Sequence, residues 1–249
     1  MAWPGAHRGG RPTPPVLGLP RSACYADEVL LNVDAGELPG EPEELAALAH
    51  ALHVACGGHA GDAGTMRATV LRAKRSGARV GAHPSYPDRT GFGRKPMDLP
   101  HDVLASSLRD QLEALARVAA NEGVAVTSLK PHGALYHAAN RDPRLAGLLV
   151  DLARSVAPMP LALVGPPRGA LREAALAAGV PYLREGFADR AYEPDGTLRD
   201  RTKPGALLED PAAAVAQARA LAPHVETLCV HGDSPNAVAI LRALREAFP

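Results

Sequence analysis

The sequence predicts an α/β fold, a parallel seven-stranded, TIM-like β/α barrel, on three observations. Short β-like runs alternate seven times with Ala/Leu-rich amphipathic helices, an order that requires parallel strands joined by crossovers. Polar residues follow nearly every strand, as expected where many strand ends share one site. The length, 249 residues, suits one such domain without a second. An open doubly wound sheet gives the same order of elements and is the alternative that the pattern leaves.

Residues 1–24 are rich in Pro, Gly and Arg and lack a hydrophobic period, so they read as a flexible tail before a single domain, 25–249. The domain opens on the strand EVLLNV, followed by a helix over 41–51. LHVAC then leads through a glycine-rich turn into helix 63–76, which Asp62 is placed to cap. ARVGAH precedes helix 100–121, and VTSLKPH precedes helix 143–156. The last three units are PLALVG with helix 168–178, PYLREGF with helix 210–221, and ETLCVHG with helix 235–247. Two connections, 85–100 and 187–210, are too polar for core and long for simple links, which marks them as working loops.

Composition narrows the partners. Lys+Arg 27 balance Asp+Glu 27, so no charge excess advertises a nucleic acid or an anionic membrane. No apolar run approaches a membrane span and the first residues lack a secretory signal, so a cytoplasmic protein with a small-molecule ligand is expected. Cys24, Cys56 and Cys229 form neither a CxxC pair nor an even set, which suits free thiols in a reducing compartment. Cys56 and Cys229 each precede a strand-end histidine; they are nucleophiles if a histidine lowers their pKa, and otherwise small buried hydrophobes.

Four apolar runs stop at or just before a histidine: His59, His83, His132 and His231. In a parallel sheet these ends lie on one face, where ring nitrogens and carboxylates can move protons or hold a metal. Each histidine taken singly could equally serve its local turn. The first strand adds Asn32 and Asp34, which share a side because strand side chains repeat every two residues, and Glu37 follows. Asp34 suits a general base or metal ligand and Asn32 a substrate contact, with local turn chemistry as the alternative. Lys130 and His132 are likewise two apart, and a strand-end Lys fits a polar site where it polarises a carbonyl or meets a phosphate. Arg94 and Lys95 in GFGRK can hold an anion, although no Walker A motif occurs. Asp189 and Arg190 in FADRAY, and His231 with Asp233 in HGDSP, complete the set, with Asp233 alternatively capping the last helix. The absence of GxSxG and HExxH argues against a serine hydrolase or a zincin.

Taken together, ACGGHAGD, GAHPSYPDRTGFGRKPMDL, LKPHGALYH, FADRAYEPDGTL and CVHGDSP closely resemble the LamB/YcsF family, in order and from about residue 29 to the end. The resemblance implies a distorted seven-stranded barrel related to the glycoside hydrolase/deacetylase barrels. It also implies one component of an ATP-dependent 5-oxoprolinase, which opens 5-oxoproline to L-glutamate with ADP and phosphate as the other products and needs partner subunits B and C. The expected catalytic set is Asp34, His59, His83, Lys130, His132, Asp189 and His231; Asn32, Glu37, Arg94, Lys95 and Arg190 are expected to bind substrate or phosphate. ATP is the expected cosubstrate. A divalent metal, if one takes part, would draw on Asp34, His59, His83 and His231; that alternative is metal-dependent deacetylation or amide hydrolysis. A third reading is a non-catalytic substrate-binding subunit. This chain departs from the family pattern at Leu30 and Val33, in place of an acidic residue and a cysteine, and at His53 and Gly58, in place of Asn and Phe.

Overall fold

The structure, a computed structural model, describes residues 29–156 and 160–248; the expected tail 1–24 and Cys24 lie outside them. Seven parallel strands close into a barrel in sequence order: β1 Leu30–Ala35, β2 Ala51–Ala55, β3 Arg79–His83, β4 Val126–Leu129, β5 Ala162–Gly165, β6 Tyr182–Phe187 and β7 Thr227–His231. Closure comes from β1 pairing with β7, Asn32 opposite Cys229 and Asp34 opposite His231. This selects the barrel over the open sheet.

The helices are α1 Glu44–Leu48, α2 Ala63–Ser76, α3 His101–Asn121, α4 Gly133–Ala139, α5 Pro143–Ser155, α6 Ala170–Ala177, α7 Pro211–Leu221 and α8 Ala237–Ala247. Among the described residues, no helix is long and apolar enough to cross a membrane. Capping chemistry sets α2 as the sequence predicts: Asp62 and Thr65 exchange side-chain and backbone hydrogen bonds, and Gly77 ends the helix at φ +76°. The first helix is shorter than the expected 41–51. Residues 51–55 are strand, and the uninterrupted Ala/Leu run of ELAALAHALHVA hides that boundary. Glu41 is drawn out of the helix because its carboxylate accepts the backbone N–H groups of Gly36, Glu37 and Leu38 at 2.8, 2.8 and 3.0 Å.

The two faces of the strands have opposite chemistry. Leu31, Val33, Leu52, Val54, Val80, Ala82, Leu129, Leu163, Leu228 and Val230 belong to one buried apolar cluster with the helices, including Val70, Leu108, Leu149 and Ile240. Several of the alternate positions are polar and bond to one another. Asn32 donates to Glu185 (3.1 Å) and Thr227 (2.8 Å), and its Oδ1 lies 3.2 Å from His53, whose other ring nitrogen meets Ser128 at 3.2 Å. Apolar burial against the helices therefore holds the barrel, and a hydrogen-bonded interior gives its strand-end groups a polar floor. Gly81 leaves room for this network, since a Cβ there would run into His53 Cδ2 and Ser128 Oγ.

Candidate active site

Lys130 stands at the centre of the floor. It is 1 % exposed, and its ammonium lies 2.9 Å from both Asp34 Oδ1 and Glu185 Oε1, with Asn32 Oδ1 at 3.3 Å and Cys229 Sγ at 3.1 Å. Burial alone would lower its pKa, but the carboxylates of Asp34 and Glu185 hold it well above the ordinary lysine value. It is a fixed cation and not a base. Asp34 is the counterpart: burial would raise its carboxyl, and His83 with Lys130 holds it well below the usual range. His83 Nε2 lies 3.4 Å from Asp34 Oδ2, and the neighbouring carboxylates raise this imidazole against the effect of burial.

Beside this centre, Glu37, His59, His83 and His132 bring one donor atom each to within 4.8 Å of one another, and these four residues could hold a metal. Glu37 Oε1 is 2.9 Å from His59 Nε2 and 3.2 Å from His132 Nδ1, contacts that hold its carboxyl far below the usual value although burial opposes this. Burial lowers His132, and lowers His59 to about 4. The grouping differs from the expected metal set. Glu37 and His132 stand where Asp34 and His231 were expected; Asp34 is paired with Lys130 and His231 is tied to Asp189.

That tie is close. His231 Nδ1 lies 3.0 and 3.1 Å from the two Asp189 oxygens, and Asp189 Oδ2 also accepts from His231 N and Ser234 Oγ at 2.9 Å each. Burial would raise the Asp189 carboxyl, but His231 and Ser234 hold it below its ordinary value. A depressed folded-state pKa contributes stability that is present above the unfolded value, about 3.9, and lost as pH falls through the folded one. The melting-temperature advantage of wild type over Asp189→Asn is therefore expected at pH 7 and should shrink below about pH 4. Melts recorded across that range test it.

Two loops complete the site. Phe92 adopts φ +54°, unusual for an aromatic residue, and so turns its carbonyl to His132 Nε2 at 2.9 Å. Gly133, at φ +54°, lets the 85–100 loop seat on α4: a Cβ there would lie 2.7 Å from Gly93 O. Gly133→Ala should cost about 1–3 kcal/mol in chemical denaturation and lower activity by displacing His132. Asp233 does not cap α8; it pairs with Arg94 of the first loop and Arg201 of the second. Gly58, where the family pattern has Phe, sits where a Cβ would lie 2.5 Å from Gln111 Oε1 and Ser85 Oγ. Gln111 instead reaches in from α3 and bonds both backbone groups of Ser85.

These groups open on a cavity of about 590 Å³. Asp34, His83, Lys130, His132 and His231 line its floor, Tyr136 and Phe187 a less polar wall, and Arg94, Arg141, Arg190, Arg199 and Arg201 the rest with the 197–202 loop. Of the expected binding residues, Arg94 and Arg190 line the cavity. Lys95 is exposed and Asn32 buried, and neither is among the lining residues. The Asn32 carboxamide is taken up by barrel partners. The sequence reading missed Glu185, His53, Glu41, Arg141, Arg199 and Arg201. Neither cysteine suits nucleophilic attack, since burial pushes Cys56 up to about 12 and Cys229 well above its usual value.

Comparison with known proteins gives the family and the fold. A protein of Symbiobacterium thermophilum, named as the A subunit of 5-oxoprolinase, is 44 % identical, covering 86 % of this chain and 89 % of its own. One of the same name from Methylococcus capsulatus is also 44 % identical, over 86 % and 90 %. The crystal structure of a lactam utilization protein from Thermus thermophilus superposes with a TM-score of 0.80 at 36 % identity, covering 88 % of this chain and 95 % of that one. The LamB/YcsF family model matches residues 29–249, and the chain belongs to the LamB/YcsF family.

Proposed function

We propose that this chain is the A subunit of a cytoplasmic, ATP-dependent 5-oxoprolinase and carries the site at which the 5-oxo-L-proline ring is opened to L-glutamate, together with subunits B and C. The observation that carries the reading is Asp34 held ionised between Lys130 and His83 on the floor of an arginine-lined cavity. The substrate is a small cyclic amide bearing one carboxylate. Arginine is suited to that carboxylate, and the floor offers both a fixed cation and hydrogen-bonding rings to the lactam. The names of the relatives support the same reaction.

A lactam resists water because its nitrogen donates into the carbonyl. Transfer of the ATP γ-phosphoryl group to the lactam oxygen releases ADP and makes the ring carbon a better electrophile. Water then adds to that carbon, the C–N bond breaks, and the nitrogen takes a proton, giving an acyl phosphate. A second water releases phosphate and leaves glutamate. In this scheme Lys130 stabilises the negative oxygen. Asp34 with His83 orients the water, and the His231–Asp189 pair carries the proton between water and ring nitrogen.

Equilibrium binding tests the placement. Purified chain titrated with 5-oxoproline should bind it, and Arg141→Gln should weaken binding about tenfold, as for a lost charge-assisted contact. No binding, or unchanged affinity in that variant, contradicts a site in which Arg141 takes the substrate carboxylate.

A further inference from the structure

Backbone carbonyls fix the state of two rings in the histidine cluster. His83 Nδ1 lies 2.8 Å from the Lys130 carbonyl oxygen, and His132 Nε2 lies 2.9 Å from that of Phe92. A carbonyl only accepts, so each of these nitrogens carries the proton. Once a bound ion displaces any second proton, the other nitrogen of each ring presents a lone pair, and these two, His83 Nε2 and His132 Nδ1, face each other at 3.0 Å. Glu37 Oε1 joins them, 3.2 Å from His132 Nδ1 and 3.6 Å from His83 Nε2. Three electron-pair donors then converge, an arrangement that holds a cation among them, a proton on His83 or a metal ion in its place.

We propose that Glu37, His83 and His132 bind one divalent transition-metal ion, and that His59 positions Glu37 instead of ligating. The three separations, 3.0, 3.2 and 3.6 Å, bracket the roughly 3.3 Å between neighbouring ligands of a tetrahedral ion with bonds near 2.0–2.1 Å. The carbonyls of Lys130 and Phe92 are the outer partners that metal-binding imidazoles ordinarily have. His59 is different. Its ring stacks on His132 at 3.7 Å with 2° between planes, and two parallel rings so placed cannot both aim an in-plane lone pair at one ion. Its Nε2 instead lies 2.9 Å from Glu37 Oε1, where an N–H orients the carboxylate. Two imidazoles and a carboxylate suit zinc, cobalt, iron or manganese better than magnesium or calcium, which prefer oxygen throughout. His83 and His132 line the cavity, so a bound ion would supply Lewis-acid polarisation to a carbonyl or water there.

The proposal stands apart from the substrate reading, because metal binding is measured without turnover. The full chain, stripped with chelator and titrated calorimetrically with Zn²⁺ or Co²⁺, should take up one ion tightly and melt at a higher temperature once loaded. His83→Gln and His132→Gln should each weaken binding at least about 100-fold. His59→Gln should weaken it about 10- to 100-fold, as for a residue behind the ligands. His224→Gln, in the turn before β7, should change nothing. X-ray absorption of the zinc-loaded wild type should show two imidazoles, a result that needs no variant to fold. Absence of stoichiometric binding, binding indifferent to His83→Gln and His132→Gln, or an imidazole count other than two would overturn the assignment.

Discussion

Lys130→Met should sharply lower ATP-coupled glutamate formation and reduce stability by about 3–5 kcal/mol, the cost of leaving buried carboxylates without their counter-ion. Asp34 and Glu185 both lie 2.9 Å from the ammonium, and both are buried. The catalytic loss should be about 10³-fold, comparable to removing a preorganised oxyanion donor. Stability and chemistry separate in the double variant Lys130→Met, Glu185→Gln. Removing one stranded charge should recover part of the stability in urea melts while turnover stays lost. Recovery of turnover would show that Lys130 only balances charge.

His231→Gln should lower turnover about 10²- to 10⁴-fold, the range of a general acid–base group, and should also lower the melting temperature, because the buried Asp189 carboxylate loses its ring partner. The ring lines the cavity, and its Nδ1 is anchored by Asp189, so its Nε2 is left for the proton transfer. Asp189→Asn should reproduce part of the loss by releasing the ring. Steady-state kinetics of the two variants checks both points, and near-normal turnover in His231→Gln would leave Asp189 and His231 as a fold element only.

Much of this site is legible in the chain because strand periodicity and strand ends carry it. Asn32 and Asp34, or Lys130 and His132, are two apart and converge once strands are parallel, so the polar floor follows from local pattern. Its partners do not. Glu185 reaches Asn32 across 153 positions, and that contact depends on barrel closure, which no local window contains. His53 and Ser128 read as isolated polar residues in apolar runs until the register opposes them across Gly81. Glu41 reads as the start of a helix because its bonds to three backbone N–H groups come from the turn that carries Glu37. The metal-type grouping escapes the sequence for a related reason: local pattern gives which residues reach the strand-end face, whereas ring tautomers and loop carbonyls decide which of them meet.

The claim that this chain supplies the ring-opening site is tested most directly by following glutamate and ADP together. The assay combines 5-oxoproline and ATP with this chain, with subunits B and C, and with all three. Glutamate formed in step with ADP only in the complete mixture, and lost when His132→Ala or Asp34→Ala replaces the wild-type chain, is the predicted result. Full activity of this chain alone, or wild-type rates in both variants, would contradict it.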